Sequence, residues 1–525
     1  MKKLLLIISV ITLSIHVDAR QQATGFVYHD ANQNGKKERS EKGIPGVAVS
    51  NGKEVVLTDN QGKYVLPVDD DNIIFVIKPS SYTAPLDENN LPRYFYIHKP
   101  NGSPDLKYKG VEPTGRLPKS VDFALYPQQE ENNFTAIVFG DPQPYTEKEL
   151  ELFTKGVVDK ATKEKKASFG ISLGDLVGDD LDLHPKYAQV MRNMGLPWYN
   201  VMGNHDMNYD AEVDEHADEA FEATFGPANY AFNYANAHFI VLDDILYPDP
   251  RDGQGYWGGF REDQLDFVEN NLKFVDKDKL VVLAFHIPLW HVNENTFRNS
   301  DRQRLFDLLK DYPNVLAMSA HTHLQRQNFY SGSDGWDGAQ PFHEYNAGTT
   351  SGDWYSGKLN AEGVPVSTMR DGTPKGYALL RVEGSKYTID YQTIGQPLQH
   401  QIRLYNPKVV ANNRGTSAGI FANFYMGHQD SKVEYRIDNG EWKPMTWVEA
   451  ADPDYTAGLV EWDLVEELMP GRRPSNAVPS THLWRAAIPT NLSLGKHHIE
   501  VRATDMFGRV FTEKSDYRIA EPVAY

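Results

Sequence analysis

Five short segments of this chain run from an apolar stretch straight into residues that bind hard cations. Phe134–Gly140 leads into Asp141-Pro142-Gln143, and Ser168–Gly174 leads into Asp175. Trp198–Gly203 leads into Asn204-His205-Asp206, Leu280–Phe285 into His286, and Val315–Ser319 into Ala320-His321-Thr322-His323. Carboxylates, amide oxygens and imidazoles are the usual ligands of such divalent ions. Two ions roughly 3.5–4 Å apart can clamp both the attacking and the leaving oxygen of a phosphoryl displacement. Each apolar stretch is short and continuous and contains Val, Ile or Phe, which reads as a buried strand. In open α/β sheets ligands bind beyond the carboxyl ends of the strands, so five such ends predict one convergent site. Taken singly, Asp141, Asp175 and Asn204 read as strand-end turn residues and His286 as a satisfied core histidine. As a set in this order they favour a metal site.

The order D-x-Q, GD, GNHD, H, AHTH resembles that of the calcineurin-like metallophosphoesterases, over roughly residues 133–395. Asn346–Trp354, followed by Asp371–Tyr377, resembles the secreted bacterial branch of that superfamily, with an N-terminal β-sandwich and a distinctive C-terminal domain. The resemblance implies an α/β fold: a core of two packed sheets with helices outside, flanked by two β-sandwich domains. It also implies two divalent metal ions (Mn, Fe, Zn or Mg) bridged by Asp175. One ion takes Asp141, Asp175, His323 and Gln143; the other takes Asp175, Asn204, His286 and His321. His321 and His323 suit this split, because alternate residues of an extended segment point oppositely. His205 would lie outside the metal shell, stabilising phosphate or protonating the leaving oxygen, with Asp206 orienting its ring. A metal-bound hydroxide would be the nucleophile. Gln143 stands where the superfamily usually has His. An amide oxygen is a weaker, harder ligand, which leaves the identity of that ion open.

Other residues near these motifs carry less signal. Asp179 and Asp180 read as turn caps, and His184, His291 and His343 as surface or structural residues. Asp353, Trp354 and Tyr377 fit a substrate pocket or packing equally well, Trp354 offering a stacking face. Asp30, Asn32, Asn34 and Glu41 match the spacing of a calcium loop. They follow a strand rather than a helix, which favours a plain Asp/Asn/Gly hairpin turn over a Ca site.

At 525 residues the chain exceeds one core and predicts several domains. The expected division is 1–19, 20–127, 133–395 and 400–525. A net charge of −19 disfavours nucleic acid and anionic membranes as main partners. Met1-Lys2-Lys3, the apolar run Leu4–Ile15 and Val17-Asp18-Ala19 read as a secretory signal peptide, too short to span a bilayer. Export to the periplasm or the exterior, with no stable membrane anchor, is therefore expected. The chain has no cysteine, so neither a disulfide nor a lipid-modified cysteine is available.

Phe26–Tyr28, Val47–Val49, Val55–Leu57 and Tyr64–Leu66, broken by Asn51-Gly52 and Asn60–Gly62, read as strands of a prealbumin-like sandwich. From residue 134 strands alternate with helical patterns. Thr146 with Glu149 is a capping box before Leu150, Phe153, Val157 and Val158. Leu265–Leu272 and Leu305–Leu309 mark further helices, and Tyr230–Tyr234 with His238–Leu242 a hairpin around Asn236-Ala237. After about residue 400 strand and turn patterns return, as in Val433–Ile437 and His497–Arg502.

The leading expectation is a secreted binuclear phosphoesterase acting on a phosphorylated small molecule or a phosphate-bearing glycan or lipid headgroup. A phosphodiesterase or nucleotide hydrolase is the alternative within enzymes. A secreted glycan-binding protein with a degenerate core is the alternative of another class. Nothing in the sequence fixes an oligomeric state.

Overall fold

The computed structural model describes residues 21–164, 166–290 and 295–523. The leader expected over residues 1–19 and His291 lie outside them. The central strands are β1 (Asn133–Phe139), β2 (Phe169–Leu173), β3 (Trp198–Val201), β4 (Tyr230–Tyr234), β5 (Ala237–Val241) and β6 (Leu280–Ala284). They continue as β7 (Val315–Ser319), β8 (Arg326–Tyr330), β9 (Phe342–Asn346), β10 (Gly376–Glu383) and β11 (Lys386–Thr393).

One sheet has the order β3-β2-β1-β10-β11 and the other β4-β5-β6-β7-β9-β8. Strands β1, β2 and β3 are mutually parallel, as are β5, β6, β7 and β9. The interior strands are buried along their whole length, which is why they read as continuous apolar runs rather than alternating ones. Between the sheets Phe134 meets Tyr234 at 4.6 Å and Phe169 meets Phe239 at 5.3 Å, centroid to centroid. These tilted and edge-on ring contacts stitch the two layers together away from the ligand-bearing ends.

The helices cover the outer faces. Thr146 caps Glu147–Phe153 by accepting from Glu149 N, and the Glu149 carboxylate answers at Tyr145 N (2.8 Å). The next turn, Thr154–Val158, widens to i→i+5 bonding, which keeps both Val157 and Val158 inward. Helices Glu262–Leu272 and Asn299–Leu309 bury Leu265, Phe267, Val268, Leu272, Leu305, Phe306 and Leu309 as their spacing predicts. The predicted hairpin forms one residue earlier, turning at Ala235-Asn236, with Ala235 left-handed at φ 46°.

The N-terminal region contains two four-stranded sheets, one built on Gln21–His29 and the other on Asn72–Val76. The C-terminal region contains a four-stranded and a five-stranded sheet, the latter centred on Gly495–Thr504 and Val510–Ala520. It also holds the helix Pro453–Asp463, which strand-and-turn reading missed. Its signal was local: Asp452 caps it by accepting from Tyr455 N, and Pro453 sits at the first helical position.

Buried ion pairs lock the N-terminal region to the centre. Lys78 Nζ lies 2.6 Å from Glu130 and donates to the Asn233 carbonyl at 2.6 Å. Lys99, with its side chain 3% exposed, reaches Glu219 at 2.7 Å and Glu222 at 2.9 Å. Removing one partner strands the others as uncompensated buried charge. Lys99→Met should therefore lower stability by about 3 kcal/mol or more in a urea melt. A loss below about 1 kcal/mol, the range of exposed pairs, would show that this contact does not hold the regions together.

Candidate functional site

The five predicted strand ends do converge. His286 Nδ1 sits 2.7 Å from the Leu173 carbonyl, so it donates there and leaves Nε2 facing the site. That Nε2 lies 3.2 Å from Asp175 Oδ1 and 3.2 Å from Asn204 Oδ1. His321 Nδ1 lies 2.9 Å from Asn204 Oδ1 and 3.2 Å from His286 Nε2. On the other side His323 Nε2 is 3.6 Å from Asp141 Oδ1, and Gln143 Nε2 is 3.2 Å from Asp175 Oδ2. Two triads have ligand atoms all within 4.8 Å of one another: Asp175–His286–His321 and Asp141–Asp175–His323. Asp175 belongs to both.

The donor set fits divalent ions. Asp141 Oδ2 and Gln143 Oε1 are buried and without hydrogen-bond partners. Buried polar atoms are rarely left so unless something else satisfies them. Burial also holds His321 and His323 down to about 3, which keeps them neutral as ligation requires. The two carboxylates divide. Burial pushes Asp141 up to about 8, and the Asp175 charge adds to that push. Burial alone would raise Asp175 too, but His286 and His205 hold it below the usual carboxylate range. Burial would lower His286, yet Asp175 and Asp141 carry it up to about 10. The pocket thus draws a proton onto an imidazole where positive charge is wanted.

The backbone is strained at the same residues. Asp141 (φ 37°), Gln143 (43°), Asp175 (49°), His321 (67°) and His323 (56°) are all left-handed. Each such residue costs about 1–3 kcal/mol and persists only where its surroundings over-determine it. The surroundings are visible. Thr350 N and Oγ1 donate to the Gly140 carbonyl at 2.8 and 3.0 Å, and Ser351 Oγ donates to the Asp141 carbonyl at 2.8 Å. Tyr355 Oη donates to the Pro142 carbonyl. The stretch after Asn346 is therefore the clamp on the first ligand loop.

His205 lies beside the triads, its backbone N–H donating to Asp175 Oδ1 at 2.9 Å. Its partner differs from the expected one. Asp206 does not orient the ring: it is fully buried, accepts from the N–H groups of Leu176, Val177 and Gly203, and pairs with His184 Nε2 at 3.0 Å. Three backbone donors and an imidazole fix it beneath the Asp175 loop. Asp179 holds His205 instead, Oδ1 to Nδ1 at 2.7 Å. Read as a turn cap, Asp179 is left-handed at φ 64° and joins the site. Burial works against a proton on His205, but Asp175 and Asp179 outweigh it and raise its pKa.

Trp354 also joins the site, stacked on His323 with centroids 4.2 Å apart. Tyr145 meets His205 edge-on at 5.8 Å and Tyr256 meets His321 at 6.1 Å, two aromatic walls that no motif announced. Asp353 and Tyr377 take the packing alternative. Asp353 is buried and accepts from Ser356 Oγ (2.6 Å) and Ser475 N (2.7 Å), while the buried Tyr377 ring packs on Phe139. His343 is buried between Gln327 and Tyr387. The oxygens of Asp30, Asn32, Asn34 and Glu41 turn onto their own loop. Asp30 accepts from Gly35 N at 2.7 Å, Asn32 from Asn34 N at 3.1 Å, Asn34 from Lys36 N at 2.8 Å and Glu41 from Glu38 N at 2.9 Å. That is the hairpin-turn arrangement.

Sequence models of one family match along the chain. The calcineurin-like phosphoesterase model matches residues 134–325, its N-terminal companion residues 31–109 and its C-terminal companion residues 344–511. The chain belongs to the calcineurin-like phosphoesterases. It is thus a phosphoester hydrolase of a metal-dependent family. No curated protein matches the sequence significantly. Among solved structures, a purple acid phosphatase from yellow lupin (Lupinus luteus) seeds is 15% identical, with a TM-score of 0.34, over 66% of this chain and 67% of that one. The GAP50 anchor of the Plasmodium inner membrane complex is 17% identical (TM-score 0.31; 50% and 84%). A Sphaerobacter thermophilus metallophosphoesterase is 11% identical (TM-score 0.23; 50% and 89%). The assignment rests on the sequence models, not on these distant likenesses.

The glycines of the motifs are steric requirements. A Cβ on Gly203 would lie 2.0 Å from Asp175 N and 2.3 Å from its Oδ1. Gly203→Ala should therefore displace the shared carboxylate and strip the purified protein of metal. Full metal content in that variant would show that the contact is not what seats Asp175.

Proposed function

We propose that the chain is an exported, binuclear metal-dependent phosphoesterase. The observation that carries this is Asp175, whose carboxylate is common to two ligand triads within 4.8 Å. Asp141, Gln143, Asp175 and His323 would hold one ion, and Asp175, Asn204, His286 and His321 the other, each being Mn, Fe, Zn or Mg. Bound there, the ions would supply an activated water and neutralise the phosphoryl oxygens. The chain's own groups do the rest. His205 keeps a proton with the help of Asp179 and delivers it to the leaving oxygen. Tyr145 and Tyr256 limit water beside His205 and His321.

The complete set of Asp141, Asp175, Asn204, His286, His321 and His323 weighs against a degenerate glycan-binding core, Gln143 being the one departure in its favour. The net charge of −19 weighs against nucleic acid. Substrates in keeping with this site are phosphorylated small molecules and the phosphate groups of glycans or lipid headgroups. The proposed domain division is 20–127, 133–395 and 400–525, with the strand pair Gly357–Lys358 and Gly471–Arg472 joining the last two, and with a leader over 1–19 directing export. Among the described residues no helix is long and apolar enough to cross a membrane.

Asp175→Asn tests the reading. An amide cannot bridge two cations as a carboxylate does, so the variant should lose most of its metal and nearly all hydrolysis of an aryl phosphate. Normal turnover would refute the assignment.

His205→Ala should keep its metal while kcat falls by about 10²–10⁴, the range for a lost general acid. Asp179→Asn should fall in the same direction by less. Both losses should shrink for esters with good leaving groups, which need little protonation. Loss of metal from His205→Ala would make it a ligand instead.

A further inference from the structure

Two arginines stand at the rim of the metal site without an ion-pair partner among the described residues. Arg472 comes from the C-terminal region, where Gly471–Arg472 pairs antiparallel with Gly357–Lys358 of the central region. Its guanidinium donates to the Trp354 carbonyl and approaches the Asp353 carbonyl at 3.5 Å. The Trp354 ring in turn stacks on His323 at 4.2 Å. Arg370 approaches the same ring, its Cζ 5.4 Å from the centroid, and its Nε is buried with no hydrogen-bond partner. Tyr145 lies across from them beside His205. Burial, Asp179 and Asp175 push its phenol up, and the Arg472 charge works against that push.

Several arginines of the C-terminal region are neutralised by carboxylates. Arg473, the next residue, forks onto Asp463 at 2.6 and 2.8 Å, and Arg403 pairs with Asp452 at 3.2 Å. That is the expected fate in a chain with 72 acidic and 53 basic side chains. Arg370 and Arg472 instead leave two guanidinium groups without a carboxylate partner beside one histidine of the metal site. A planar guanidinium fork matches phosphate and carboxylate oxygens in geometry as well as in charge.

We infer that Arg370 and Arg472 form a second anion subsite, supplied in part by the C-terminal region, and that the substrate carries two anionic groups. One sits at the metal centre; the other, a phosphoryl or carboxylate group a few bonds away, sits on the arginines. The inference rests on the phosphoesterase reading of the metal centre. It narrows the substrate class to phosphate esters or anhydrides bearing a second acid function and disfavours monoesters of simple neutral alcohols.

Calorimetric titration of the full metal-loaded protein with orthophosphate, pyrophosphate and phosphonoacetate tests it. Pyrophosphate should bind at least about tenfold more tightly than orthophosphate, the gain expected of one charge-assisted contact. Arg472→Gln and Arg370→Gln should each weaken pyrophosphate about tenfold more than they weaken orthophosphate. Phosphonoacetate matching pyrophosphate marks a carboxylate as the second group, and pyrophosphate alone gaining marks a phosphoryl group. Pyrophosphate binding no tighter than orthophosphate, or variants weakening all three ligands alike, would overturn the subsite and leave the phosphoesterase reading standing. Failure of orthophosphate itself to bind would overturn both. Should Arg370→Gln fail to fold, because its Nε is buried, the exposed Arg472→Gln carries the test alone.

Discussion

Two carboxylates held side by side in a dry pocket are the constraint on which the rest of this structure depends. Asp141 and Asp175 are essentially inaccessible to solvent and lie close enough that both cannot ionise without nearby positive charge. The chain answers with imidazoles that draw in a proton and with a backbone that pays conformational strain at five candidate ligand positions in three separate loops. Buried charge of this kind is costly unless it is paired, by protons on the imidazoles or by cations. The left-handed ligand residues and the orphaned oxygens are two signs of that same demand.

Much of the surrounding architecture keeps those positions from relaxing. The segment after β9 clamps the backbone of residues 140–142, and Asp206 gathers the N–H groups that follow Asp175. A buried polar network carries the restraint outward to the C-terminal region. Asp371 accepts from Gln325 N, two residues after His323, at 2.9 Å, and lies 3.2 Å from His482 Nε2. His482 Nδ1 reaches Asn423 at 2.8 Å, and Asn423 donates to the helix cap Asp452 at 2.8 Å. Gly372 leaves no room for a side chain there, since its Cβ would lie 2.5 Å from Asp452 Cγ. The Asp371–Tyr377 motif therefore serves as the joint between the site and the flanking sheets.

The candidate ligands were legible because each ends an apolar strand, and a strand end is a local signal. The two-sheet core and its helices were legible for the same reason, as at Thr146 and Glu149. Most of what escaped was non-local. Asp179 looked like any loop aspartate, and only the return of His205 from a separate loop gives it a partner. Adjacency in sequence suggests that Asp206 contacts the His205 ring, whereas the tight turn at residues 204–206 sends its side chain inward to His184. The helix at Pro453–Asp463 was obscured by the strand-like patterns on either side of it. Trp354 could not be told from Tyr377 by residue type; the difference is that one ring lies on a ligand and the other in the core.

The central claim is that one carboxylate, Asp175, serves two cations. Metal analysis of the purified mature protein, combined with anomalous diffraction from its crystals, tests this most directly. Two metal peaks are expected, both in contact with Asp175, one beside Asp141 and His323 and the other beside His286 and His321. A single peak, or two peaks of which only one touches Asp175, would contradict it.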